Sequence, residues 1–170
     1  AFITVAQSAT TAPLNPAYKE EEFAFYLEDL KAGAVIVEAG YDGPARVAAN
    51  RFDLTVIELT ATEPAGTFTL SAPTAEAAAD ADPTAEDVAL ILHPAGTTAR
   101  PKIVRLLQSN VAAATESIRA SLSLTAEDCC LNVMPLFHIH GLVAAVSASL
   151  AAGASISCAP GFDALKFFGW

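Results

Sequence analysis

Gly96, Thr97 and Thr98, followed closely by Arg100, Lys102 and Arg105, are the residues of this chain best suited to chemistry. Pro94, Gly96 and Pro101 interrupt regular structure on both sides, so the Gly-Thr-Thr segment is expected on an exposed loop whose backbone N–H groups have no ladder partners. Free amides and two hydroxyls are donors for phosphate oxygens, and the three cations concentrate positive charge in a chain that has only nine basic residues. The same residues also describe an ordinary turn between two strands. A Walker loop is excluded, because Lys102 follows Pro101 and precedes Ile103 instead of standing between Gly and Ser or Thr. A dinucleotide fingerprint is excluded by the lack of any Gly-x-Gly. The second group is His138 and His140, inside an aromatic and histidine corner from Pro135 to Gly141. Two such histidines are metal-ligand types, yet no carboxylate cluster or cysteine spacing completes a site, and a supporting role in the core is the simpler alternative. Glu20, Glu21 and Glu22 read as a solvated helix start in preference to a metal site.

The elements that must position these residues follow from periodicity. Phe2, Val5, Ala6 and Ala9 recur at helical spacing, and Thr10 to Leu14 reads as a short strand closed by Asn15-Pro16. Phe23, Tyr26, Leu27 and Leu30 share one face of a helix over residues 20–31 that Gly33 should end. A strand at Ala34 to Val37, a helix at Ala45 to Arg51 and a strand at Thr55 to Leu59 give the alternation typical of parallel sheets. Residues 1–59 thus form a first strand-helix layer, 60–87 an acidic Ala-, Pro- and Thr-rich exposed connection, and 88–170 the segment that carries the loop and the histidine corner. Within the last, Ile103 to Leu107 is a strand, and Ser109 or Asn110 caps a helix whose face is Val111, Ala114, Ile118 and Leu122. Cys130 to Met134 and Ala154 to Cys158 are strands either side of a small-residue helix from about Leu142, and the residues after Gly161 start another helix.

With 170 residues, of which 53% are hydrophobic, a buried core is feasible. Nineteen acidic against nine basic residues, a net charge of −10, argue against nucleic acid or an anionic membrane as the main partner and leave room for small anions at local basic clusters. Cys129, Cys130 and Cys158 are odd in number and lie in apolar runs, so they are expected as buried, reduced thiols, pointing to a reducing compartment, cytoplasmic or peroxisomal. The uncharged stretch from Cys129 to Phe162 raises the question of a membrane span, but Asn132, Pro135, two histidines and its small residues fit a buried core segment. The start lacks Met and a basic n-region and reads as the middle of a longer chain.

Three stretches together resemble the adenylate-forming (AMP-binding) superfamily of acyl-CoA synthetases and peptide-synthetase adenylation domains. Ala12 to Tyr18 is similar to its early Pro-Leu-Asn-Pro turn, His93 to Val104 to its Thr-Ser-Gly-Thr-Thr-x-x-Pro-Lys-Gly phosphate loop, and Met134 to Gly141 to its Pro-Leu-Phe-His-x-x-Gly corner. Leu131 to Leu142 and Pro160 to Phe168 look most like the oxalate-CoA ligase or peroxisomal CoA synthetase branch. The resemblance implies an α/β fold of mostly parallel sheets flanked by helices, part of the family's large N-terminal domain. It further implies MgATP, a small carboxylate and coenzyme A as reactants, with an acyl-adenylate between. By that likeness Gly96, Thr97, Thr98 and Lys102 hold the ATP phosphates and His138 shapes the pocket where acyl group and adenylate meet, with His140 nearby.

The loop departs from the family pattern at two places. Pro94-Ala95 replaces Thr-Ser and Ile103 replaces the closing Gly. Each donor lost to an ionised oxygen it faces costs roughly 1.5–3 kcal/mol, so weaker phosphate binding is expected. The family's adenine- and Mg²⁺-binding Thr-Glu stretch, ribose Asp and catalytic Lys have no counterpart in this sequence. The chain therefore reads as an internal fragment of a ligase, or a truncated gene product, expected not to complete adenylation alone. The competing expectation is a non-catalytic remnant that serves as a folding or protein-interaction unit, self-associating through faces left uncovered.

Overall fold

The computed structural model describes residues 1–71, 82–93 and 102–170. These divide into two units, one from Leu14 to Ser71 and the other made of Phe2 to Pro13 with residues 82–170. Each unit has its own core.

In the first unit, helix α2 (Glu20–Leu30) buries Phe23 and Leu27 as the spacing predicts and Ala24 in addition, while Tyr26 and Leu30, expected on the same face, are half-buried. Three glutamates fill its first turn, where the helix dipole favours negative charge, and the Glu22 carboxylate accepts the Lys19 backbone N–H at 2.9 Å. The helix stops before Gly33. Lys31 itself takes the left-handed conformation (φ 50°, ψ 49°), and the N–H groups of Lys31 and Ala32 return to the carbonyls of Glu28 and Leu27 at 3.1 and 3.0 Å. Strand β1 (Ala34–Glu38) runs parallel to β2 (Thr55–Thr62), with α3 (Pro44–Arg51) between them in sequence. Pro44 suits the first turn of α3, where its missing N–H breaks no bond, and Ala45, Ala48 and Ala49 give a small buried face on which α2 packs closely. Arg46 braces this unit: its Nε donates to the Tyr41 carbonyl at 2.6 Å and its Nη2 pairs with the Glu58 carboxylate on β2.

The exposed connection expected from Thr60 begins later. Strand β3 (Thr67–Ser71) pairs antiparallel with β2, so residues 60–71 complete a hairpin. Its Thr-Phe-Thr-Leu-Ser sequence alternates and is β-favouring despite few large apolar side chains, and the hydroxyls of Thr62 and Thr67 meet at 2.8 Å beside the turn that joins the strands. Residues 72–81 of that expected connection lie outside the described residues.

In the second unit, α1 (Phe2–Val5) is a single turn. The strand expected at Thr10 to Leu14 reduces to one parallel bridge between Thr11 and Leu90, because Pro13 has no N–H to extend a ladder. Strand β4 (Val88–Leu92) pairs antiparallel with β5 (Val104–Leu107), which leads directly into α4 (Gln108–Ser121). Helix α4 starts ahead of the expected Ser109 or Asn110 cap, because backbone carbonyls satisfy its first amides: Gln108 N–H donates to Asp87 at 2.8 Å and Ser109 N–H to Ala85 at 3.0 Å. Val111, Ala114 and Ile118 pack on a core of Ala6, Ala89, Leu90, Leu142 and Val143. Leu122, expected on the same face, lies past the last turn and is 64% exposed.

Strand β6 (Cys129–Asn132) runs parallel to β7 (Ser155–Cys158). Between them a π-helical stretch, His140–Ser147, continues into α5 (Ala148–Ala151), which Gly153 ends at φ 76°. The three cysteines are free, but Cys129 and Cys158 are exposed and Cys130 half-buried, since a two-stranded sheet leaves its outer positions uncovered. The final stretch forms only a 3₁₀ turn (Phe167–Gly169) after the Asp163 carboxylate accepts the Leu165 N–H at 3.0 Å. The α/β class holds, with mixed sheets: β1–β2 and β6–β7 are parallel, β2–β3 and β4–β5 antiparallel. Among the described residues no helix is long and apolar enough to cross a membrane.

Two measurements check this fold. Lys31→Gly removes the penalty of a side chain in the left-handed region and is expected to raise stability by roughly 0.5–1 kcal/mol in urea denaturation. Asp87 accepts the Thr84 N–H at 2.7 Å and hydroxyl at 2.9 Å, which hold its carboxyl below the usual value of 3.8. A depressed folded value stabilises the folded state above the unfolded pKa and ceases to do so as pH falls through the folded one. Thermal melts from pH 5 downward should therefore show a loss below about pH 4 that Asp87→Asn flattens.

Candidate functional site

The loop that carries the phosphate-binding candidates is anchored at both ends. Leu92 and Val104 are cross-strand partners, so residues 93–103 leave and re-enter a closed hairpin base. Beneath that base Leu90 is completely buried, clamped between Thr11 on one side and Leu106 on the other. Of the expected ligands, Lys102 is described and exposed, one residue before half-buried Ile103 and the start of β5. Gly96, Thr97 and Thr98 lie outside the described residues, as do Pro94, Ala95, Arg100 and Pro101. Arg105 is exposed within β5 opposite Ile91, and half-buried His93 follows the last residue of β4.

The histidine corner follows β6. Its last residue, Asn132, is 3% exposed, and its carboxamide grips the chain two residues on: Nδ2 donates to the Met134 carbonyl and Oδ1 accepts the Met134 N–H, both at 3.1 Å. The backbone then turns, His138 N–H donating to the Pro135 carbonyl at 3.2 Å and Leu142 N–H to the His138 carbonyl at 3.0 Å. His138 and His140 are both exposed, and the Phe137 ring lies 5.4 Å from the His138 imidazole at a 42° tilt. Gly141 is buried where no side chain fits: a Cβ there would lie 2.5 Å from the Pro135 carbonyl oxygen. In the wide-turned helix that follows, the Ala148 N–H reaches back to Val143, and the buried Ser147 hydroxyl donates to the Leu142 carbonyl at 2.8 Å.

This arrangement offers an exposed ammonium at the mouth of the hairpin and, on a separate element of the same unit, an exposed imidazole on a tightly braced turn. Among the described residues no three His, Cys, Asp or Glu side chains come together to hold a metal, and His138 with His140 gains no third ligand there. Asn132 and Ser147 escaped the sequence reading. The available signal was a lone carboxamide in an otherwise apolar strand and a hydroxyl in an apolar helix, both buried polar groups that need partners.

A family model described as AMP-binding enzyme matches residues 2–169, essentially the whole chain. The chain belongs to the AMP-binding enzyme family. Oxalate–CoA ligase of Arabidopsis thaliana is 37% identical to this chain over 174 residues, covering 98% of it and 34% of the plant enzyme. Oxalate–CoA ligase of Saccharomyces cerevisiae is 34% identical, covering 92% of this chain and 34% of its own. The crystal structure of ATP-bound MatB from Rhodopseudomonas palustris superposes with a TM-score of 0.75 at 28% identity over 94% of this chain and 32% of that one. The chain thus spans about a third of the length of these relatives. The resemblance read from the loop and the corner, on the oxalate–CoA ligase side of the superfamily, agrees with these matches.

Gly141 offers a direct check of how tightly the corner closes. Gly141→Ala forces a methyl against backbone that has no flexible tip to yield. A loss of roughly 1–3 kcal/mol is expected in chemical denaturation.

Proposed function

We propose that this chain is the phosphate-loop and histidine-corner segment of an ATP-dependent acid–CoA ligase. In that reaction a small carboxylate attacks the α-phosphate of ATP, releasing pyrophosphate and giving an acyl-adenylate. The thiol of coenzyme A then attacks the acyl carbon, forming a thioester as AMP leaves and a proton is lost. The observation that carries the reading is the exposed Lys102 beside a loop whose base is fixed by the Leu92–Val104 pair and the buried Leu90. A loop on a rigid base holds its donors in place as negative charge develops on the departing pyrophosphate, and Lys102 adds a cation there. Gly96, Thr97 and Thr98 supply the neighbouring amides and hydroxyls, and His138 borders the carboxylate. Support comes from the names of the relatives, two oxalate–CoA ligases and an ATP-bound MatB. Free thiols accord with a reducing compartment, cytoplasmic or peroxisomal.

A second reading, a non-catalytic unit that associates through apolar surface, draws on the exposure of Phe162, Leu165 and Phe168. Calorimetry with MgATP separates the two. Saturable binding by the wild-type chain is expected, weakened about 10- to 100-fold in Lys102→Ala, the size of a lost contact between charged groups. A well-folded chain with no detectable heat of binding would move the weight to the second reading.

A further inference from the structure

We propose that Asn132 is the positioning residue of the histidine corner: a buried carboxamide that sets where His138 is presented. Asn132 stands on β6 opposite Cys158, at a position burial would ordinarily give to an apolar side chain. Its backbone carbonyl is engaged with the sheet, accepting the Ala159 N–H at 3.0 Å, so its side chain is not needed to complete the ladder. Both ends of the carboxamide are instead committed to Met134, and together the two bonds fix the amide orientation, since only Oδ1 can accept the N–H and only Nδ2 can donate to the carbonyl.

From there the consequence passes along backbone. The Met134 and Pro135 carbonyls are the atoms that a Gly141 side chain would strike, so the corner is pinned by Asn132 at its start and closed by Gly141 at its end. His138 lies between these two points, with its N–H on the Pro135 carbonyl and its own carbonyl on Leu142 N–H. An exposed imidazole on such a turn gains its direction from the backbone, because only the half-buried Phe137 ring lies against it among the described ring contacts. Burying an amide costs desolvation that its hydrogen bonds only offset, so its benefit is geometric: one side chain fixes two backbone groups of a turn that no strand holds. The consequence for chemistry rests on the proposed function, in which the His138 corner borders the acyl group.

The test uses amide hydrogen exchange and the imidazole resonances of the histidine-labelled chain. In the wild type, the Met134 amide is expected to be protected although it lies outside any strand; exchange at the free-peptide rate would overturn the proposal without any variant. Asn132→Ala should raise Met134 exchange about tenfold, the scale of one lost hydrogen bond, and move the His138 resonances while those of His93 stay. Asn132→Asp keeps an acceptor for the Met134 N–H and should restore that protection. A merely structural residue would lower the melting temperature and leave His138 unmoved, or shift His93 and His138 alike, and either result overturns the assignment. Sodium oxalate added with MgATP to the wild type reads the rest. A His138 response supports both statements, whereas a His138 that shifts in Asn132→Ala but ignores these reactants leaves the clamp standing and removes the acyl-site reading.

Discussion

Four hydrogen bonds fasten Thr10 and Thr11 to β4, and the loop-bearing unit depends on them. Thr11 exchanges backbone bonds with Ala89 and Ile91, and both threonine hydroxyls donate to carbonyls of the same strand. They turn β4 from an edge into an interior strand, with β5 on its other side. They also bring Ala6 over Leu90, the one large side chain with no exposure among the described residues, and let Gln108 of α4 reach the Ala6 carbonyl at 2.6 Å. The rigidity of the β4–β5 hairpin base is therefore borrowed from residues that lie far away in sequence.

Signals that act over a few residues were legible. Helical spacing in Phe23 to Leu30 and the strand-helix-strand alternation from Ala34 to Leu59 appear in the structure where periodicity put them. What escaped depends on partners elsewhere. Strand β3 is recognisable only beside β2, because its Thr-rich composition resembles that of the linker after it. The π-helical stretch leaves no spacing signature, since Leu142 to Val146 is apolar all round. The early start of α4 depends on carbonyls of Ala85 and Asp87, which no cap rule at Ser109 or Asn110 anticipates. The candidate residues divide in the same way: Lys102 and His138 are singled out by motif, whereas Asn132 is informative only once its burial is known.

The two halves of the site are built on opposite strategies. The hairpin base at Leu92 and Val104 rests on the apolar support of buried Leu90, with exposed Lys102 beside it. The histidine corner is pinned by hydrogen bonds from a buried amide and by a glycine that excludes any side chain. Under the proposed function the first would meet a phosphate tail, which tolerates small shifts in a field of donors, and the second an acyl group approached by a thiol, which demands direction. The denser bracing falls where direction matters more.

The attachment of Thr11 to β4 also bears on how the chain folds. The contact spans 78 residues, and closing a loop of that length carries an entropy cost that grows with its logarithm. Almost all of the intervening residues that are described belong to the other unit, whose α2, β1, α3, β2 and β3 assemble from near neighbours around their own core. Once that inner segment is compact, fewer free residues remain to be ordered when the contact closes. The nesting therefore favours an inside-out order, with the inserted unit forming first and the attachment of Thr11 to β4 completed last.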